Sequence, residues 1–257
     1  MFLVKYLFSI LCTRLEEVNR KKKSDLARHV QHSYSTARAT EKYVRRVSEG
    51  LRRWEQTMID RFFPDVGRAL VVGCGAGREA FALESLGFLV KGIDISDTLV
   101  SAARSIAAES GSQVEFEVTD GAIFSEPDDS YDIVTLWSQI LANVPTTRAR
   151  KTLVSEAFRV LTSAGLMSLS VHDGASTLPR VTDDMRYEGV DQNAGLEEGD
   201  LVLKSEDGEG PVFWHYFDEE EVQNLYLVAG FQDIQIFRAS DLGESYDNVF
   251  CAIGKKL

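Results

Sequence analysis

The sequence predicts a doubly wound, mostly parallel α/β sheet, and three observations carry that prediction. From residue 64 onward, short apolar runs alternate with amphipathic helical stretches, the rhythm of strand–helix units with helices on both faces of a sheet. The first run, Ala69-Leu-Val-Val-Gly73, passes into three alternating glycines and then a helix. The 257 residues are 44% hydrophobic and 26% charged, enough for a core; whole-chain disorder and a multispan membrane protein are excluded.

Taken in order, the N-terminal segment comes first. Its longest uncharged stretch is Tyr6 to Cys12, far short of the roughly 20 apolar residues a membrane-spanning helix needs. An amphipathic helix packed on the body is expected there. Peripheral membrane contact through residues 1–23, helped by Arg20 and Lys21 to Lys23, is the alternative. Residues 24–63 read as one helix with Ser24 as N-cap, because apolar and aromatic residues recur at helical spacing (Tyr43, Val47, Leu51, Trp54, Met58) and Pro64 ends the run. Residues 1–63 are thus expected to form a helical cap or lid, and residues 64–257 the main domain.

Strands are expected at residues 69–73, 89–94, 113–119, 131–136, 165–171, 233–238 and 248–253. Helices are expected near residues 78–86, 98–109, 148–161 and 218–229, the last stopped by Gly230-Phe231. Residues 173–217 interrupt the alternation. Inside them, Asp200-Leu-Val-Leu-Lys204 and Pro211-Val-Phe-Trp-His-Tyr216 flank Asp207-Gly208-Glu209-Gly210 and read as a β-hairpin.

Charge is unevenly spread. Of the net −12, residues 1–60 carry thirteen Lys/Arg against seven Asp/Glu, while the remainder is net −18. So acidic a body repels a phosphate backbone, which disfavours nucleic acid as a partner. Cys12, Cys74 and Cys251 form no CxxC pair; that argues against a disulfide scaffold or zinc knuckle and fits a reducing cytoplasm. No His, Asp and Glu fall at convincing metal spacing, so no metal is expected.

The chemistry-bearing stretch is Gly73-Cys-Gly75-Ala-Gly77-Arg78. Glycines at a strand-to-helix turn let the backbone bend sharply and approach a ligand closely, and open parallel sheets bind nucleotides at the carboxyl ends of their strands. A dinucleotide fingerprint would need glycine or alanine at position 78, where arginine stands; a nicotinamide oxidoreductase is disfavoured. Asp94 ends the second strand, where a carboxylate can accept ribose hydroxyls, and Asp120 ends the third, where an acid can accept from an adenine amine. The plainer alternative is that Asp94 and Asp120 only cap the next helices.

With Leu70–Arg78, Gly92–Ser96, Thr119–Ala122, Tyr131–Val134, Glu156–Leu161 with Gly165, and Ala229-Gly230-Phe231, the chain resembles the class I S-adenosylmethionine-dependent methyltransferases over roughly residues 40–257. The resemblance implies a seven-stranded sheet whose last strand is antiparallel. It also implies S-adenosyl-L-methionine as cofactor, with S-adenosyl-L-homocysteine as product. By position, Gly73, Cys74, Gly75 and Gly77 flank the methionine part, Asp94 and Ile95 the ribose, and Asp120, Gly121 and Ala122 the adenine. Tyr43, with Tyr34, would cap the cofactor, and Trp137 would border it. Two departures stand out: Val71 replaces an acid common two positions before the first glycine, and Ser163-Ala164-Gly165 replaces Pro-Gly-Gly.

The acceptor is expected beside the ends of strands four and five. His172 is the first candidate general base, because imidazole titrates near neutrality, and His215 the second; either is otherwise a locally bonded or solvated histidine. Trp137, Phe213 and Trp214 would wall an aromatic pocket unless they are plain core. The expected activity is methyl transfer to O or N of a small molecule. An RNA-modifying enzyme and a noncatalytic cofactor-binding module are the alternatives, and homo-oligomerisation is left open.

Overall fold

The computed structural model describes residues 30–188, 196–205 and 211–257. The expectations for residues 1–29, including membrane contact and the Ser24 cap, lie outside the described residues, as does the hairpin turn at 207–210.

Seven strands form one sheet: β1 (Arg68–Val72), β2 (Leu89–Asp94), β3 (Glu115–Val118), β4 (Tyr131–Leu136), β5 (Leu161–His172), β8 (Gln232–Arg238) and β9 (Val249–Lys255). Their order is β3-β2-β1-β4-β5-β9-β8. The first five run parallel, and β9 runs antiparallel to both neighbours. The hairpin β6 (Asp200–Lys204) and β7 (Pro211–His215) pairs Asp200 with His215 and Lys204 with Pro211. The fold is the expected one, with the antiparallel last strand and the hairpin insertion after β5.

Both faces of the sheet are covered, as parallel strands require. In β1, Leu70 and Val72 point into one core with Val134, Leu136, Phe217 and Tyr226. That side is closed by α5 (Thr147–Val160) and α6 (Glu219–Ala229). Ala69 and Val71 point into the other core with Trp54, Met58, Ile133 and Trp137. It is closed by α2 (Arg53–Phe62), α3 (Arg78–Ser85) and α4 (Asp97–Ser110).

The single long helix expected over 24–63 is a correction. Among the described residues a helical stretch over 30–34 stops at Ser35, and α1 (Ala37–Arg46) restarts where the Thr36 side chain accepts the Ala39 N–H. A second break falls at Gly50, whose φ of +64° takes the chain out of helix. Two polar capping sites and a glycine override the apolar periodicity. β5 also starts earlier than expected, at Leu161, because a bulge shifts its register against β4 between Tyr131 and Ile133.

Candidate active site

The glycine loop closes β1 onto the end of β2. The N–H groups of Gly73 and Cys74 both donate to the Ile93 carbonyl, at 2.8 and 3.1 Å, and Gly77 donates to the Cys74 carbonyl at 2.9 Å. Gly73 has φ of +70°, and a Cβ there would meet the Ile140 side chain at 2.4 Å; only glycine fits. Among the described residues a Cβ on Gly75 would touch only Tyr43, at 3.8 Å. The backbone at Gly75 therefore faces open space roofed by one aromatic ring.

Asp94 is buried and does not cap α4; Ser96 does that, accepting the Leu99 N–H. The two Asp94 oxygens instead take one N–H each: Oδ2 from Gly75 and Oδ1 from Ser96, both at 2.8 Å. Burial raises its pKa, and the N–H groups of Ser96, Gly75 and Ile95 pull it back. A carboxylate has about four acceptor sites, so it keeps capacity for a ligand hydroxyl. Gly121 and Ile95 abut, since a Cβ on Gly121 would lie 2.8 Å from Ile95 Cγ2, so the ends of β2 and β3 form one shelf. Asp120 is exposed and turns back on its own loop, with Oδ1 accepting from Ala122 at 2.9 Å. Its Oδ2 has no partner among the described residues.

The N-terminal segment crosses above this shelf. Gln31 donates to the Ile95 carbonyl, and Ser96 Oγ donates to the Tyr34 carbonyl. The Tyr34 and Tyr43 rings meet at 5.9 Å, and the Tyr34 hydroxyl donates to Asn143 Oδ1 at 3.0 Å. Burial raises both phenol pKa values. Both tyrosines lie where a cap is expected.

Beyond β4 the chain turns through two left-handed residues, Ser138 (φ +54°) and Gln139 (φ +57°), a costly backbone for non-glycine residues. Ser138 Oγ donates to Glu79 Oε1 at 2.6 Å. Arg78 forks between Glu55 (2.7 and 2.6 Å), Glu79 (2.5 Å) and the Gly50 carbonyl (2.6 Å). All three charged side chains are buried. Sequence reasoning used Arg78 only to reject a fingerprint and missed Glu55, Glu79 and Ser138.

On the acceptor side, His172 ends β5 beside Trp214 (4.9 Å between rings) and Tyr216 (5.7 Å). Burial lowers its pKa to about 4. Nδ1 is enclosed without a partner, and no hydrogen bond reaches Nε2 from the described residues. His215 is elsewhere, 1% exposed, with Nδ1 on Asp200 at 2.7 Å and Nε2 on Glu221 at 2.9 Å. Arg150 completes this network through Glu197 at 2.9 Å. With both nitrogens engaged, His215 ties the hairpin to α5 and α6; it is not placed to take a proton from an acceptor. The aromatic pocket is also corrected. Trp137 is enclosed by Trp54 and Phe63, its Nε1 donating to Ser168 at 2.9 Å, so its indole fills the core. Phe213 packs with Val30 and Val202, leaving only Trp214 beside His172.

The methyltransferase-domain family profile matches residues 69–165, from β1 through the start of β5. A solved S-adenosylmethionine-dependent methyltransferase from Methanosarcina mazei superposes with a TM-score of 0.64 at 25% identity, over 78% of this chain and 97% of that one. Residues 69–165 thus match a methyltransferase domain, and the fold is that of S-adenosylmethionine-dependent methyltransferases. Among curated relatives, the ubiquinone biosynthesis O-methyltransferase of Burkholderia vietnamiensis is 39% identical over 79 residues, 30% of this chain and 34% of that protein. The chain thus matches about a third of that relative's length. The putative methyltransferase YqeM of Bacillus subtilis is 25% identical over 188 residues, 68% of this chain and 74% of that one.

Within this methyltransferase fold the described residues include no helix long and apolar enough to cross a membrane. They also include no group of three His, Cys, Asp or Glu side chains able to hold a metal ion. Val71 lies in the core under the loop; the acids around the loop are Asp94 from β2, Glu55 from α2 and Glu79 from α3.

Proposed function

We propose that this chain is an S-adenosylmethionine-dependent methyltransferase that methylates O or N of a small molecule. The observation that carries the reading is Asp94, a buried carboxylate held at the end of β2 by the Gly75 and Ser96 N–H groups. The residues fit the cofactor. Gly75 leaves room where a Cβ would stand, Asp94 offers an acceptor for ribose hydroxyls, and Asp120 Oδ2 stays open beside the exposed Ile123. When bound, S-adenosylmethionine supplies a methyl group on a sulfonium, open to in-line attack.

The protein's own part is alignment and exclusion of water. Tyr34 and Tyr43 roof the loop, and residues 30–46 are proposed as the lid. His172, Trp214 and Tyr216 wall the side next to β5, where the acceptor would lie. With its pKa near 4, His172 is neutral at physiological pH and accepts a hydrogen bond from the attacking O–H or N–H. It is a weak base, and no described residue orients its second nitrogen. Alignment therefore carries most of the rate. A small acceptor agrees with the ubiquinone-pathway relative and with the net −18 beyond residue 60, which opposes RNA.

The test is calorimetry with S-adenosylhomocysteine, followed by transfer of labelled methyl from the cofactor onto a metabolite pool. Binding with label appearing in small molecules supports the reading. Binding without transfer to any pool, RNA included, leaves the noncatalytic module.

A further inference from the structure

Three carboxylates crowd the glycine loop, and they are not equivalent. Glu55 is fully enclosed, and both its oxygens are spent on Arg78 and on the Arg52 N–H. Asp94 is spoken for by Gly75 and Ser96 and faces the nucleoside shelf. Glu79 differs from both. Its Oε1 takes Arg78 and Ser138, whereas Oε2 has no partner among the described residues.

The cluster carries two carboxylates on one guanidinium. With both ionised, one negative charge is left over in a site only 6% exposed at Glu79. A buried surplus charge is costly unless something of opposite sign meets it. The sheet order says where the surplus lies. Running β3-β2-β1-β4, the carboxyl ends present Asp120, then Asp94, then the glycine loop, then Ser138. A nucleoside seated over β3 and β2 sends its remaining atoms over β1 toward β4, where Ser138 holds Glu79. Glu79 is also close enough to Asp94, Cys74 and Tyr43 to act on all three electrostatically, which puts it on the rim of the same site.

We propose that Glu79, held by Arg78 and by the left-handed Ser138, is the carboxylate that receives the ammonium group of the cofactor's amino-acid tail. The inference rests on the cofactor reading above and deepens it. Val71 leaves the strand below the loop without an acid, and Glu79 supplies one from the helix above. The Arg78–Glu55 pair is then the clamp that keeps the Glu79 carboxylate pointed inward, and it anchors α2 to the site.

The experiment is calorimetry on the full chain with two probes: S-adenosylhomocysteine, which has the ammonium, and 5′-methylthioadenosine, which has the same nucleoside and sulfur but no amino-acid tail. E79Q is expected to bind S-adenosylhomocysteine about 10–100-fold more weakly, the cost of a lost charge-assisted hydrogen bond, and methylthioadenosine as the wild type does. E79D is expected to recover part of the loss. Equal loss for both probes, or no loss for either, overturns the assignment to Glu79 and leaves the cofactor reading standing. A wild type that binds neither probe overturns the cofactor reading and this assignment together. Should E79Q fail to fold, the wild type is titrated with S-adenosylhomocysteine and with its analogue lacking only the amino group. Equal affinity for those two overturns the assignment.

Discussion

Asp94 Oδ2 accepts the Gly75 N–H at 2.8 Å, so the acid that ends β2 holds the loop that ends β1. They lie nineteen positions apart in the chain, and this bond adds to those from Gly73 and Cys74 to the Ile93 carbonyl in tying the loop to the end of β2.

Asp94→Ala is therefore expected to lose more than a ligand contact. Affinity for S-adenosylhomocysteine should fall about 10–100-fold, since a charged hydrogen-bond partner contributes roughly 1.5–3 kcal/mol. The melting temperature should fall as well, because the Gly75 and Ser96 N–H groups lose their acceptor. Asp94→Asn keeps one acceptor oxygen and should lose less stability. Burial raises the Asp94 pKa, so wild-type affinity should weaken on acidification from a higher pH than an ordinary aspartate gives. Calorimetry on Asp94→Ala with unchanged affinity would remove Asp94 from the site.

His172 should leave no mark on the pH–rate profile near neutrality. Its pKa is lowered by burial to about 4, against an ordinary value of about 6.5. A depressed histidine contributes stability above the unfolded value, and that contribution is lost as pH falls from 6.5 toward 4. His172→Phe should flatten this acid-side slope in a melting series. It should lower turnover by less than about 100-fold, the lower end of what general-base loss costs. A larger drop that a shift in pH restores would reinstate His172 as the base.

His215 should show the opposite slope. Burial pulls its pKa down, but the hydrogen bonds to Asp200 and Glu221 outweigh that, and the net direction is up. The charged form is thus favoured in the fold. Its stabilisation is complete below the unfolded value near 6.5 and is lost as pH rises through the raised folded value. His215→Ala should cost roughly 3 kcal/mol, the scale for removing one member of a buried ionic network, and should erase the alkaline-side slope. A variant that melts like the wild type between pH 6 and 9 would show that the Asp200–His215–Glu221 chain does not latch the hairpin.

The sequence disclosed what depends on neighbours in the chain. Apolar runs marked β1, β2 and β4, Gly230 marked the end of α6, and the glycine trio marked the turn between β1 and α3, because each is a local pattern with a local cause. It withheld what depends on which face a residue takes. Trp137 could equally border a ligand or fill the core, and the arrival of Trp54 from α2 and Phe63 from just past its end packs it into the core. His215 looked solvated because Arg150 and Glu221, which bury it, come from two other helices. Arg78 read as a broken fingerprint because its partner Glu55 lies 23 residues earlier.

The N-terminal cap should end before α2 rather than at residue 63. The charge break near Pro64 placed the boundary at residue 63, yet Trp54 and Met58 of α2 are 0% exposed and share a core with β1 and β4. Glu55 from the same helix neutralises Arg78 inside the fold. Residues 30–46 touch the body differently, through Gln31, Tyr34 and Tyr43 at the rim of the site. A chain beginning at Val47 should therefore keep a cooperative melt while binding S-adenosylhomocysteine more weakly, for want of the two tyrosines. A chain beginning at Pro64 should not melt cooperatively at all. Trp54→Ala alone should cost about 3–5 kcal/mol, the usual range for emptying a large aromatic site in a core, and Arg78 would in addition lose its enclosed partner in the longer truncation. If the chain beginning at Pro64 instead melts like the intact protein, α2 is dispensable packing and the boundary belongs at residue 63.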